Sequence, residues 1–476
     1  MERRLYVLAA SAFIVAAVLG SAWITGQFTT PEVDRTDGYV SELAARDQPW
    51  TRLFRTSDAL AGLACAAGVA LVPRVAREWQ AWLALAAFGL LTFAAGLFPL
   101  DCATLSDPYC GRRVVSSAHH VHQLAGALST AALLAAMVLL SARWRSWVSW
   151  LFTWLGLAAT LLTAAALADR HGVGLAHRAQ LTLFAVWLVY VAVHLLITDD
   201  PPVPAIMAEA VDHEGGFAGP HVVEQGAGPV VLITAELGGA WFHWGAVAGL
   251  LAGTRHVIRF DRCGLGLSPH ATAPPTLFTE VARLAALAPS HPEQVTVVAH
   301  GVACWHAEAF ARLHPLRVAK LVLVDPAPVT ERTPSAPARS AGRWLPALGG
   351  TWGATAVARL AGPAAHRLLV GVPDPYGVYR TGKVLAAAAG EWLARRDMAA
   401  DLLRLREEMP FPGVPVTVIS AGGPDLGHAR LAGALSATLV RLPECGHQIQ
   451  LEDPGAVAEA VLSAPGTGRA GWGRPG

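Results

Sequence analysis

The stretch Val295-Thr-Val-Val-Ala-His-Gly-Val-Ala-Cys304 decides how the second half of this chain is read. Its first residues are a β-branched run suited to a buried strand. A tight turn of mostly small residues follows, and then a helical pattern. Such a turn lifts its central residue out of the sheet. Here that residue is Gly301, which has no side chain to present. Working outward, further strand-like runs lie at Val230–Thr234, His256–Phe260, Lys320–Val324, Val414–Ser420 and Thr438–Leu442, with amphipathic helical patterns between them. Short strands alternating with helices predict a parallel α/β sheet. Residues 330–410 break the rhythm with helical and Pro/Gly-rich sequence and read as an inserted cap.

The first 199 residues have a different character. Six apolar runs, near 5–25, 57–73, 79–99, 116–141, 147–167 and 180–198, are long enough to span a hydrocarbon core of ~30 Å at about 1.5 Å per residue. An all-α, six-helix transmembrane bundle is expected there. The first run is too long, and too well followed by others, to read as a cleaved signal peptide. The expected organisation is a six-span domain at 1–199, a linker at 200–212, an α/β domain at 213–466 and a disordered tail at 467–476.

Composition agrees with a membrane protein. Of the 476 residues, 53% are hydrophobic and 15% charged, against about 25% charged in soluble domains. A net charge of +1 signals no nucleic-acid or acidic partner. Arginines lie in loops on both sides of the spans, so the positive-inside rule leaves orientation open. An even number of spans puts both ends on one side. The six cysteines form no C-x-x-C pair. Cys102 and Cys110 share a short loop and would pair if it faces an oxidising compartment, or remain as two free thiols. Three cysteines in the second half without evident partners favour the cytoplasmic side for that domain.

The order of motifs in the second half resembles the α/β-hydrolase superfamily. Leu237-Gly-Gly-Ala-Trp241 follows the first clear strand, where that family carries its oxyanion-hole loop. Phe260-Asp-Arg-Cys-Gly-Leu-Gly-Leu-Ser268 matches its D-R-x-G-x-G-x-S turn. The 295–304 stretch stands at the nucleophile elbow, then come Leu321-Val-Leu-Val-Asp-Pro326, Pro415–Ala421 with Asp425 beyond, and Pro443-Glu-Cys-Gly-His-Gln448. The resemblance implies an α/β-hydrolase fold with a helical cap, Asp425 as acid and His447 as base, in the chain order this fold uses. The elbow signature is G-x-S-x-G, so Gly301 is a vacant nucleophile position. The base and its orienting acid remain, but nothing at 301 can give the base a proton. Glycine relieves the strained backbone of an elbow, which suits a turn kept as scaffold.

Other positions carry alternatives. Asp325 ends a strand and is a possible substitute acid, though a structural role is the plainer reading. The amides of Leu237 and Val302 are the oxyanion-hole candidates. Glu236 stands beside them, where its carboxylate would oppose a developing oxyanion if it faced the pocket. Cys304 opens the helix after the elbow and reads as packing rather than as a replacement nucleophile.

The membrane half resembles an uncharacterised family of six-helix bacterial integral membrane proteins, domain of unknown function 998. The resemblance rests on Tyr39-Val-Ser-Glu-Leu, Arg55-Thr-Ser-Asp58, Phe98-Pro-Leu-Asp-Cys102 and His119-His-Val-His122, and implies no activity. Ionisable residues at membrane depth are functional suspects. His119 and His122 share a helix face and, with Asp58 and His194, make a candidate metal set; the bland reading hydrates them at span ends. No cofactor is signalled.

These readings lead to a membrane-anchored hydrolase-fold protein that has lost its serine and binds a small or acyl-type ligand or a partner. The alternatives are an enzyme working through an Asp425–His447 dyad, metal chemistry in the membrane, and transport by the N-terminal half.

Overall fold

A computed structural model describes residues 2–73, 78–110, 114–197, 219–329, 336–423 and 425–463. The expected 200–212 linker and 467–476 tail lie outside the described residues. The described residues form two compact units, the first of residues 2–197 together with Thr351–Gly353 and the second of the other residues from 219 on.

The first unit is helical: α1 (Glu2–Leu19), the short α2 (Trp23–Thr29), α3 (Thr51–Leu71), α4 (Trp79–Leu97), α5 (Ser117–Trp144), α6 (Trp147–Asp169) and α7 (Val173–Ile197). Five stretches, Arg3–Thr29, Trp79–Leu97, Ser117–Trp144, Trp147–Asp169 and Val173–Ile197, are long and apolar enough to cross a membrane. The sixth long helix, α3, carries Arg52, Arg55 and Asp58 in its first turns, which dilute its apolar character. On α6, Trp154, Leu155, Leu161 and Leu162 are exposed. An outward apolar face of this kind suits contact with lipid rather than water. Small residues let α3 and α4 approach closely: a β-carbon at Gly62 would lie 2.4 Å from the Gly89 carbonyl oxygen.

Three connections meet at one end of this bundle. Buried Glu42 accepts hydrogen bonds from the Leu105 amide (2.5 Å) and the Ser106 hydroxyl (2.5 Å), and Asp37 accepts from the Gly172 amide at 2.6 Å. Cys102 and Cys110 are joined as a disulfide in the same region.

The second unit has the α/β-hydrolase architecture. Strands β1 (Val222–Gln225), β2 (Val230–Thr234), β3 (His256–Phe260), β4 (Val295–His300), β5 (Val318–Val324), β6 (Val416–Ala421) and β7 (Thr438–Leu442) form one sheet in the order β1-β3-β2-β4-β5-β6-β7. Only β1 runs antiparallel to its neighbour; the other pairings are parallel. Six strands fall where the apolar runs put them. The seventh, β1, was not expected, because Val-Val-Glu-Gln is short, half-polar and offers no alternation to read. Helices α8 (Gly245–Leu251), α9 (Leu277–Leu287), α10 (Ala303–Leu313), α14 (Leu426–Ala434), α15 (Ile449–Glu452) and α16 (Pro454–Leu462) accompany the sheet, while α11 (Ala336–Gly349), α12 (Trp352–Val370) and α13 (Gly382–Glu408) lie between β5 and β6.

Both faces of the sheet are covered. Leu232, Val297, Leu321, Leu323 and Val418 pack into one core, and Val231, Ile233, Val298, Val322 and Ile419 into the other. This period-two division is what a doubly covered parallel sheet requires. The Asp-Arg-x-Gly-x-Gly-x-Ser turn is an anchor in that frame. Asp261 accepts from the amides of Trp241 and Leu267, both at 3.0 Å, and from His221 at 2.9 Å. A β-carbon at Gly266 (φ +48°) would fall 2.1 Å from the Asp261 carboxylate, so only glycine fits there.

Candidate functional site

Four chain segments deliver side chains to the C-terminal ends of the parallel strands, where open α/β sheets place their sites. β4 ends at His300, Gly301 turns with φ +56°, and α10 begins at Ala303. β2 leads into Ala235 and Glu236. β5 ends in Asp325, held at φ +41°, a left-handed conformation that aspartate tolerates better than most residues. The loop after β7 brings in His447.

His447 lies between two carboxylates. Its Nδ1 is 2.5 Å from Asp325 Oδ2, and its Nε2 is 2.6 Å from Glu236 Oε2. A carboxylate only accepts, so both ring nitrogens donate and the ring is an imidazolium. The hydrogen bonds to Asp325 and then Glu236 overcome burial and push the His447 pKa up to about 10. Burial by itself would raise both carboxyls. The hydrogen bond to His447, and its charge, outweigh burial and hold each below the usual carboxylate range. Asp325 is steadied by the Ala421 amide, which donates to Oδ1 at 3.0 Å.

Glu236 occupies the space in front of the elbow. A β-carbon at Gly301 would lie 2.7 Å from Glu236 Oε1 and 2.8 Å from its Cγ and Cδ. His300 faces the same carboxylate, with Nδ1 3.8 Å from Oε2. Its Nε2 donates to the His447 carbonyl at 2.9 Å, and burial lowers its pKa to about 4, so it is neutral at pH 7.

The loop that carries Glu236 is clamped by a buried ion pair. Arg262 Nε is 2.6 Å from Glu391 Oε1, and Nη2 is 2.9 Å from Oε2. The same guanidinium donates to the carbonyls of Ala235 and Glu236, the latter at 2.7 Å. Glu391 Oε2 in turn accepts from the Gly238 amide at 2.8 Å.

The acid expected at Asp425 is elsewhere. Asp425 caps α14, accepting from the amides of Gly427 (2.6 Å) and His428 (3.4 Å), and the partner of His447 Nδ1 is Asp325. The first amides of α14, just after Asp425, absorb its carboxylate. The amides of Leu237 and Val302 have no acceptor among the described residues. Cys304 is buried, its thiol donating to the Ala299 carbonyl at 3.2 Å, and burial raises its pKa well above the ordinary value, which suits packing rather than attack. His300 was missed as a site residue, although its place beside Gly301 was visible.

In the helical unit the candidate ligands do not converge. His119 accepts from the Asp101 amide at 3.2 Å. His122 Nδ1 donates to the carbonyls of Ala95 (2.8 Å) and Phe98 (2.9 Å), and His194 stacks on Trp144. Asp58 joins none of these contacts. Among the described residues, the one group of three or more potential ligands is Glu236, His300 and His447.

With this geometry in view, the comparisons divide the chain as the fold does. Residues 230–460 match the family model described as Alpha/beta hydrolase family, and residues 10–194 match that of Protein of unknown function, DUF998. The chain thus joins an α/β-hydrolase domain to a DUF998 domain. No curated protein matches it. Similar solved structures include wild-type Cfl2 from Burkholderia cenocepacia, 24% identical over 50% of this chain and 90% of that one, with a TM-score of 0.39. The thioesterase domain from the curacin biosynthetic pathway is 17% identical over 52% and 97%, with a TM-score of 0.40. A putative ancestral haloalkane dehalogenase, AncHLD2, is 20% identical over 51% and 93%, with a TM-score of 0.39. These likenesses extend to the fold alone.

Proposed function

We propose that this protein is a membrane-anchored, non-hydrolytic α/β-hydrolase-fold module that binds a small acyl-type ligand or a partner. The observation that carries this reading is the Glu236 carboxylate, bonded to His447 Nε2 in the space a side chain at 301 would need. A general base must offer a lone pair. The His447 ring offers none while both its nitrogens donate to carboxylates. The same argument weighs against an enzyme working through His447 alone. Removing the nucleophile from a serine hydrolase costs about 10⁶-fold in turnover, and here the base is quenched as well.

The disulfide in the 102–110 loop supports an oxidising side for that end of the bundle. With three crossings after that loop, α5, α6 and α7, the hydrolase-fold domain then lies on the opposite, cytoplasmic side, in keeping with its free Cys263, Cys304 and Cys445.

The test is turnover of a short-chain nitrophenyl ester by the full chain in detergent, as the natural protein and as His447→Ala. Equal, background rates are expected. Turnover by the natural chain that His447→Ala abolishes would overturn the reading.

A further inference from the structure

Glu236, His300 and His447 place three metal-ligating atoms within 4.8 Å of one another, and we infer that they form a binding site for a divalent transition-metal ion of the zinc class. The inference rests on the same placement of Glu236 as the proposed function. It adds what the trio binds once the proton between Glu236 and His447 is displaced.

Two imidazole nitrogens and one carboxylate oxygen make a donor set that zinc accepts in sites with an open fourth position. The rings are turned for it. His447 Nδ1 is committed to Asp325 at 2.5 Å, leaving Nε2 facing Glu236. His300 Nε2 is committed to the His447 carbonyl at 2.9 Å, which puts the ring's lone pair on Nδ1, on the Glu236 side. In both rings the outer nitrogen is bonded to an oxygen acceptor, which is how metal-bound histidines are oriented.

The spacing is close to what an ion needs. Ligands about 2.0–2.2 Å from zinc in a tetrahedral site stand roughly 3.3 Å apart. Glu236 Oε2 lies 2.6 Å from His447 Nε2 and 3.8 Å from His300 Nδ1, values that bracket that separation. The third separation, between the two ring nitrogens, is within 4.8 Å, so a shift of the Glu236 side chain together with an adjustment of the exposed His447 ring brings the three atoms around an ion. Gly301 leaves the space open, since any side chain there would compete with Glu236 for it. His447 is 44% exposed, so an ion arrives from solvent, while His300 forms the buried wall.

The test uses the full chain in detergent, stripped with a chelator and titrated with Zn²⁺ by calorimetry and with Co²⁺ by visible absorption. One ion per chain is expected, with the visible bands of four-coordinate Co²⁺. Glu236→Gln, which preserves shape but removes the charge, and His300→Ala should each weaken binding at least 100-fold. Asp325→Asn should weaken it about 10–100-fold through the His447 ring, and Asp425→Asn should leave it unchanged. No uptake by the natural chain, or uptake that survives both Glu236→Gln and His300→Ala, overturns the site. Metal uptake is read without ester turnover, so it can fail while the proposed function stands, and the reverse.

Discussion

The Glu236 carboxylate lies where the side chain of residue 301 would begin: Oε1 is 2.7 Å from the position of a β-carbon on Gly301. The two positions are complementary. A glycine at the elbow makes room for the carboxylate, and the carboxylate accepts a hydrogen bond from His447 Nε2, the atom to which a serine hydroxyl would have donated. Reverting one without the other therefore leaves the site blocked or empty.

The ion triad sets a pH dependence. His447 has a folded pKa raised to about 10, so its contribution to stability is complete below its ordinary value near 6.5 and is lost as pH climbs toward 10. Asp325 and Glu236 have lowered values, so their contributions hold above the ordinary carboxylate range and are lost as pH falls through their folded values. The melting temperatures of the natural chain and of Glu236→Gln should differ most between about pH 5 and 6.5 and converge toward pH 10. Parallel curves from pH 5 to 10 would refute the triad.

Arg262 and Glu391 form a buried pair, and removing one partner strands the other charge. Glu391→Ala should cost about 3–5 kcal/mol in denaturant unfolding. Replacing both residues by apolar ones, Arg262→Met with Glu391→Leu, should recover much of that loss. A single variant as stable as the natural chain would show that the clamp on the Glu236 loop does not hold.

Gly266 has no room for a side chain, since a β-carbon there would run into the Asp261 carboxylate. Gly266→Ala should destabilise the protein by about 1–3 kcal/mol or more through overpacking, with added strain at positive φ. Thermal unfolding checks it, and a change within about 0.5 kcal/mol would count against the packing described.

Orientation is open to thiol labelling in intact cells expressing the chain. In sealed cells an impermeant maleimide should leave the exposed Cys263 unlabelled, and it should label Cys263 once the membrane is opened. Labelling of Cys263 in sealed cells would reverse the assignment.

Much of the fold was legible because buried parallel strands advertise themselves as runs of Val, Ile and Leu, as in β4 and β5. The short β1 did not, since its four residues bury little and take their order from pairing with β3. The strand–turn–helix at Gly301 could be read from local motifs. The carboxylate beside His447 could not: Asp325 and Asp425 both follow strands, and only the fold shows which one reaches Nδ1 of His447. Glu236 was visible as an oddity in its loop. That it crosses from the end of β2 to fill the space at Gly301 is a tertiary fact, fixed by the Arg262 clamp rather than by its own neighbours.

The most direct test of the central claim compares ester turnover by the full chain as Gly301→Ser and as Gly301→Ser with Glu236→Ala. Glu236 still blocks the first, which should stay near background. The second should free both the space and the His447 lone pair and gain on the order of 10³-fold, part of the ~10⁶-fold a nucleophile supplies. Equal activity in the two variants would mean that Glu236 does not silence this site.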